Sequence, residues 1–287
     1  MSSTLTSPHR AEELVAKLES LATLPEVTAR INAVVRDPNS DPADLEEVIH
    51  HDPALVARLM KAVNSAFFGL SSEVKTVGRA IVMLGFTQIN RLALAASMGQ
   101  MFKGNLCPGV PAKQLWAHCI AVGVVARDMG GNIRPELAEE AFMAGITHDL
   151  GLLASLTLMP TQLAAVCDLV KSDPRPFTEI EREAMGVDHQ QLGAALTAAW
   201  KFPGICQLTA AHHHNPFEVD DEERLVVGLV HIADTMCCLE KIGFNRTAMR
   251  QTISPELLSS LGISEELVAD TQSRMQALAY SATTIFG

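Results

Sequence analysis

The chain has 287 residues, of which 33 are acidic and 22 basic, so its formal net charge is −11. A protein of this charge is repelled by phosphate backbones, which argues against direct nucleic-acid binding. Hydrophobic residues make up 48% of the chain and charged residues 19%, a balance that argues against an intrinsically disordered protein. The length predicts one large domain or two lobes.

The sequence predicts a cytoplasmic protein without a membrane segment. No uncharged, predominantly apolar run reaches the roughly 20 residues that span a bilayer, and residues 1–13 lack the apolar core of a signal peptide. The six cysteines form no CxxC pair and are expected to be reduced and mostly buried. The adjacent Cys237 and Cys238 are expected to line the core rather than to bind a metal.

The predicted fold class is all-α. Aromatic residues make up only 5% of the chain, and good helix formers such as Ala, Leu and Met carry much of the apolar content. Asp41-Pro42 and Asp52-Pro53 each place an acidic N-cap before a proline, which predicts helices over 43–50 and 54–64. Further helices are predicted at 87–102, 113–129, 135–158 with a break near Gly151, 160–171, 177–185, 190–200, 203–213, 222–240 and 264–285.

Histidines and aspartates recur together in the second half of the chain. They are His118, His148-Asp149, Asp188-His189, the triplet His212-His213-His214, and His231 with Asp234. Imidazole and carboxylate together suit Fe, Mn, Ni or Zn, and a carboxylate inside an apolar helix needs a partner. Taken singly, each has another interpretation: a hydrogen-bonded core histidine at 118, a helix N-cap at 188, a frayed helix end at 212–214, and a buried acid at 234.

Helix geometry restricts the histidine triplet. Successive residues of a helix are about 100° apart, so His212 and His214 point about 200° apart and cannot serve one site on a regular helix. Only an adjacent pair of the three is therefore a plausible pair of ligands.

The order His118, His148-Asp149, Asp234 resembles the H…HD…D signature of the HD phosphohydrolase superfamily. Other segments resemble HDOD domains in the family's own order: 24–27 (LPEV), 49–55 (IHHDPAL), 63–69 (VNSAFFG), 80–85 (AIVMLG), 186–193 (GVDHQQLG), 200–203 (WKFP) and 230–234 (VHIAD). The resemblance implies an HD-like multi-helix bundle with an N-terminal helical lobe.

The resemblance also sets the predicted domain limits. An N-terminal lead-in occupies 1–20, and the HDOD domain occupies 21–240 with lobes at 21–105 and 112–240. The Pro- and Gly-rich stretch 103–112 separates the lobes and is a candidate hinge. C-terminal helices at 241–287 close the core or form a homodimer face, and the sequence does not choose between the two.

The resemblance implies a metal site with one or two divalent ions. In the superfamily the HD pair, a flanking histidine and a distant aspartate bind one metal, which implies His118, His148, Asp149 and Asp234. His189 and an adjacent histidine pair resemble the ligands that hold a second metal in the HD-GYP branch. The pattern His-His-Asn-Pro favours His213 and His214 for that pair over His212.

The sequence departs from hydrolytic HD-GYP relatives at two places. Leu152 stands where those enzymes carry a lysine, and the Gly-Tyr-Pro segment is missing. The loss of a cation near a transferred phosphoryl group commonly costs orders of magnitude in rate. The resemblance therefore implies a bacterial signalling output or adaptor module with a signalling protein as partner. The alternatives are a metal-dependent phosphohydrolase of a nucleotide or cyclic dinucleotide, with Asp149 as the catalytic residue, and a metal-free scaffold.

Overall fold

The computed structural model describes residues 8–19, 25–65, 68, 70, 72–102 and 110–286. In chain order its helices are α1 (Pro8–Glu19), α2 (Glu26–Arg36), α3 (Pro42–His50), α4 (Pro53–Val63), α5 (Val77–Leu84), α6 (Phe86–Met98), α7 (Ala112–Ile133), α8 (Ala138–Thr147), α9 (Leu150–Leu158), α10 (Pro160–Leu169), α11 (Phe177–Met185), α12 (His189–Ala199), α13 (Gly204–His212), α14 (Asp221–Leu239), α15 (Pro255–Leu261) and α16 (Glu265–Phe286). Over these described ranges the chain is helical without strands, and the all-α prediction is confirmed.

Some sequence features lie outside the described residues. They are residues 103–109 of the predicted hinge, Cys107, Leu24, and residues 66, 67 and 69 of one HDOD-like segment.

The helix starts follow the capping chemistry of the sequence. Asp41 and Asp52 each accept hydrogen bonds from backbone N–H groups in the first turn of α3 and α4. Asp188 caps α12 in the same way through the N–H of Gln191, so the interpretation of Asp188 as an N-cap is confirmed. These caps satisfy backbone donors that a helix terminus otherwise leaves unpaired.

The structure differs from the sequence prediction in several places, and α2 is one helix that was not predicted by range. Residues 8–19, within the predicted lead-in, form α1. Ala11 and Val15 are buried and Leu14 is partly buried against the core, which makes a short apolar stripe. The break predicted near Gly151 lies just before it, at His148-Asp149. Gly151 lies within α9, where the lack of a side chain allows that helix to approach α12, as described below.

The helices pack as two groups that meet where α6 contacts α8 and α4 contacts α16. α2 to α6 pack on one another, and α7, α8, α9, α12, α13 and α14 form the larger bundle. α16 lies along α7 and also contacts α4, while α1 packs on α12 and α9. One hydrophobic cluster includes buried residues of both groups, and a second fills the space among α7, α8, α14, α15 and α16.

α7 and α8 approach each other closely, because glycines face each other across the pair. A Cβ atom on Gly145 would lie 2.6 Å from the Cα of Gly123, a distance that only glycine permits. This approach brings His118 on α7 and the end of α8 into one buried layer.

The stretch 135–158 is long and apolar enough to cross a membrane by length and composition alone. Within the protein, however, 89% of its most apolar window is buried, and the stretch is interrupted at His148-Asp149. Its apolar side chains belong to the core of the helical bundle.

Candidate metal centre

The structure brings all seven predicted ligands together inside the larger bundle. They come from α7 (His118), the α8–α9 junction (His148 and Asp149), the start of α12 (His189), the end of α13 (His213 and His214) and α14 (Asp234). All except His214 have 0% exposed surface, and the side chain of His214 is 10% exposed. His212 points away, with a side chain that is 30% exposed and lies 3.2 Å from Glu218.

The break between α8 and α9 aims both members of the HD pair at one space. On a continuous helix, adjacent side chains would diverge by about 100°. Asp149 instead has φ −102° and ψ 18° and begins a new helix. The ring of His148 turns back on α8, with its Nδ1 2.6 Å from the carbonyl oxygen of Gly145.

Each histidine of the centre has its Nδ1 held by an oxygen atom. The oxygens are the carbonyls of Ile242 for His118 (3.2 Å), Gly145 for His148 (2.6 Å) and Thr209 for His213 (3.0 Å), the carboxylate of Glu181 for His189 (2.5 Å), and the amide Oε1 of Gln251 for His214 (2.7 Å). These oxygens only accept, so each Nδ1 donates its proton to them. In a neutral ring Nε2 then carries a free lone pair. Ligating histidines are commonly oriented in this way.

The Nε2 atoms converge on the two carboxylates. Asp149 Oδ1 lies 3.5 Å from Nε2 of His189 and 3.6 Å from Nε2 of His213. Its other oxygen, Oδ2, lies 3.3 Å from Nε2 of His148 and 3.9 Å from Nε2 of His118. Asp149 thus faces two histidine groups, one with each oxygen.

Several of these atoms have no hydrogen-bond partner. Both carboxylate oxygens of Asp149, Oδ2 of Asp234 and Nε2 of His148 are buried and make no hydrogen bond. In addition, Nε2 of His189 lies 3.0 Å from Nε2 of His214 and 3.3 Å from Nε2 of His213. Buried acceptors without donors are costly, so the space between these side chains requires positive charge.

The pKa values of these side chains indicate the same need for positive charge. Burial opposes ionisation of Asp149, but the surrounding histidines outweigh it and hold the pKa of this carboxyl well below its usual range. Burial likewise opposes a charged His189, yet the adjacent Glu181 carboxylate raises the pKa of that ring to about 9. Burial together with the neighbouring His189 lowers the pKa of His214 to about 4. The ring of His189 therefore favours a positive charge, whereas the ring of His214 stays neutral and keeps a lone pair that can bind a cation.

A divalent cation fits this donor set. The ligand atoms of His118, His148 and Asp149 lie within 4.8 Å of one another, and so do those of His189, His213 and His214. Imidazole nitrogen and carboxylate oxygen are the donors that Fe, Mn, Ni and Zn accept. The unpaired oxygens of Asp149 lie between the two groups, which suits one or two ions. The sequence does not identify the metal, and the geometry accepts several.

Sequence reasoning missed two residues that support the centre, Glu181 and Gln251. Glu181 accepts both the ring N–H of His189 and its backbone N–H, the latter at 3.0 Å. Gln251 holds His214 through Oε1 and donates through Nε2 to Thr235 at 2.6 Å. His231 donates to the carbonyl of His213 at 2.8 Å, and Cys238 lies beside Asp234.

The α14–α15 loop (residues 240–254) covers the centre. It supplies the Ile242 carbonyl and the Gln251 amide, and the N–H of Phe244 bonds the carbonyl of Gln114 on α7 at 2.9 Å. Gly243 has φ +68°, and a Cβ atom there would lie 2.5 Å from the backbone nitrogen of His118. The loop therefore rests directly on α7.

Leu152 does not place a cation at the centre. Its side chain has 0% exposure and belongs to the larger hydrophobic cluster. Within the described residues, the ion pairs of Asp149 and Asp234 are all with histidines.

A family model for the HDOD domain matches residues 21–216. The chain belongs to the HDOD family. The match ends before α14, so Asp234 lies beyond it, and the predicted domain end at 240 stays a prediction.

Solved structures share the HDOD fold. An HDOD domain protein of unknown function from Geobacter sulfurreducens has a TM-score of 0.81 at 21% identity, covering 98% of this chain and 99% of its own. A candidate phosphohydrolase from Shewanella amazonensis has a TM-score of 0.76 at 23% identity over 96% and 98% of the two chains. A candidate signal transduction protein from Marinobacter aquaeolei has a TM-score of 0.74 at 23% identity over 99% and 67%.

A longer relative also matches this HDOD chain. An uncharacterized protein of Treponema pallidum is 23% identical over 225 residues, which is 78% of this chain and 43% of the relative. The chain thus spans less than half of that relative's length.

Proposed function

We propose that this HDOD protein is a cytoplasmic signal-transduction output or adaptor module. In this proposal it holds one or two divalent metal ions and does not hydrolyse a substrate. The observation that carries the proposal is the enclosure of the centre: six of the seven ligands have 0% exposure, and the α14–α15 loop bonds across the remaining side.

A buried centre can bind a metal ion without admitting a substrate for hydrolysis. A hydrolase must admit a phosphate ester to its metal and stabilise the charge that develops there. Leu152 is part of the hydrophobic core, and the ion pairs of Asp149 and Asp234 are with histidines. A metal bound here would stabilise the bundle and fix the relative positions of α7, α12 and α14.

A signalling protein is the proposed partner. The candidate signal transduction protein from Marinobacter aquaeolei shares the fold, and the chain spans only 43% of the Treponema relative. Both comparisons support a domain that acts together with other domains or proteins. A nucleotide or cyclic dinucleotide is the alternative ligand, and a homodimer is the alternative assembly.

One observation favours a metal-dependent phosphohydrolase as the second candidate. Asp149 faces one histidine group with each oxygen, as a carboxylate between two metal ions would. Paired ions supply Lewis-acid stabilisation of both oxygens in a phosphoryl displacement. In that case Asp149 would be the residue on which activity depends.

Metal content and turnover test the proposal together. We expect purified protein to contain bound metal, Asp149→Ala to lose it, and the exposed control His212→Ala to keep it. We expect no hydrolysis of nucleotides, cyclic dinucleotides or a phosphodiester model compound with Mn or Fe added. Turnover that Asp149→Ala abolishes would overturn the adaptor role. Metal-free protein whose stability is unchanged in Asp149→Ala would instead support the scaffold.

A further inference from the structure

Cys238 is a buried core residue whose thiol also lies beside the proposed metal ligand Asp234. It follows Asp234 by four residues on α14, so the two side chains share one face of the helix. Its Sγ lies 3.6 Å from Asp234 Oδ1, and the side chain is buried, with 5% exposure.

The same aspartate oxygen contacts His118. Nε2 of His118 lies 3.0 Å from Asp234 Oδ1, and the ligand atoms of His118, Asp234 and Cys238 all lie within 4.8 Å of one another. Around a tetrahedral zinc, ligand bonds of about 2.0 Å to N or O and about 2.3 Å to S place the N and O ligands about 3.3 Å apart and the S and O ligands about 3.5 Å apart. The observed separations are close to both values.

A simple thiol hydrogen bond explains only part of this arrangement. The S–H group of Cys238 can donate to Asp234 Oδ1 or interact with Thr247 at 3.8 Å. However, Oδ2 of Asp234 is buried without a hydrogen bond, and so is Oδ2 of Asp149, which lies 3.9 Å from Nε2 of His118. One weak donor leaves Asp234 Oδ2 unsatisfied, whereas a cation bound by Asp234 offsets the buried charge.

We infer that Cys238 is a ligand of the metal ion that His118 and Asp234 hold. The inference rests on the proposed metal centre and adds a sulfur donor to its nitrogen and oxygen set. On metal binding the thiol proton leaves to solvent and the thiolate bonds the ion. Thiolate ligands favour Zn, Fe(II) and Co(II) over Mn and Mg, so this residue determines the class of metal that the centre selects.

Cobalt spectroscopy tests this ligand independently of any activity. Intact protein loaded with Co(II) is expected to show thiolate-to-cobalt charge-transfer absorption in the near ultraviolet. Cys238→Ser is expected to lose that absorption and keep the visible bands of bound cobalt. The preference of Cys238→Ser for Zn over Mn should fall by at least about 10-fold. That is the smallest loss of metal affinity expected when a residue that supports a ligand is replaced. Cys237→Ser and Cys119→Ser are matched controls, because both thiols are buried nearby and lie outside the ligand group.

X-ray absorption at the zinc edge provides a measurement on the unchanged protein, so the test does not depend on the folding of a variant. A sulfur scatterer at about 2.3 Å supports the inference. A shell of nitrogen and oxygen alone, or cobalt charge transfer that persists in Cys238→Ser, overturns it and leaves the metal centre standing. Protein that takes up neither Zn nor Co overturns both proposals.

Discussion

At the scale of single residues, Glu181 is expected to affect metal affinity strongly, although its side chain contacts none of the proposed ions. Its Oε2 accepts the ring N–H of His189 at 2.5 Å and the backbone N–H at 3.0 Å. The charge next to the ring increases the electron density on Nε2, the atom that faces the centre. Such an anionic anchor raises ligand basicity and fixes the ring at the same time.

Glu181→Gln is expected to weaken metal binding by about 10- to 100-fold, because the ring loses its anionic acceptor. Competition with a fluorescent chelator measures the change. Glu183→Gln is the matched control, since Glu183 is on the same helix and pairs with the exposed Arg175. Equal affinities in the two variants would contradict the role assigned to Glu181.

At the scale of helices, the position of His189 depends on how closely α9 approaches α12. Gly151 on α9 has no room for a side chain, because a Cβ atom there would overlap the carbonyl oxygen of His189 and lie 2.7 Å from the nitrogen of Gly193. The glycine after the HD pair therefore sets the distance between the helices that carry Asp149 and His189.

Gly151→Ala is expected to push α12 away, to lower the free energy of unfolding by about 1–3 kcal/mol and to reduce bound metal. Chemical denaturation and metal analysis measure the two effects. Gly131→Ala is the control: its Cβ atom would lie 3.6 Å from the Cβ of Ala138, an ordinary contact. That variant should be neutral or gain up to about 1 kcal/mol from helix propensity. Similar losses in both variants would exclude the packing explanation.

The sequence predicted elements whose signals are local. Acidic caps before α3, α4 and α12 were visible as Asp-Pro and Asp-His pairs, and helix geometry already excluded His212 as a partner of His214. α1 escaped prediction because its apolar face is short. Glu181 and Gln251 escaped because their roles depend on contacts across 8 and 37 residues, and no spacing within one helix indicates such pairs.

At the scale of the whole molecule, metal binding and folding are expected to be linked. The ligands come from α7, the α8–α9 junction, α12, α13 and α14, so an unfolded chain cannot present them together. An ion that binds only the folded state raises the free energy of unfolding by mass action. α16 contributes to the same bundle by packing along α7 with Met275 and Ala282 fully buried.

Zinc at 100 times its dissociation constant is expected to stabilise the protein by about 2.7 kcal/mol, which corresponds to a rise in melting temperature of about 5 °C. A chelator should reverse the rise. Thermal unfolding of Asp234→Ala in the same zinc concentration is the comparison. A rise of the same size in that variant would mean that zinc stabilises the protein through another site.

Three of the five rings are oriented by main-chain carbonyls, those of Gly145, Thr209 and Ile242. Any residue type supplies a carbonyl, so evolution is free to replace the side chains at 209 and 242 without losing these acceptors. An inserted or deleted residue between Leu239 and Ile242 is a different matter, since it would shift the acceptor of His118 along the chain. Homologous sequences should therefore vary in residue type at these positions and keep the length of this connection constant.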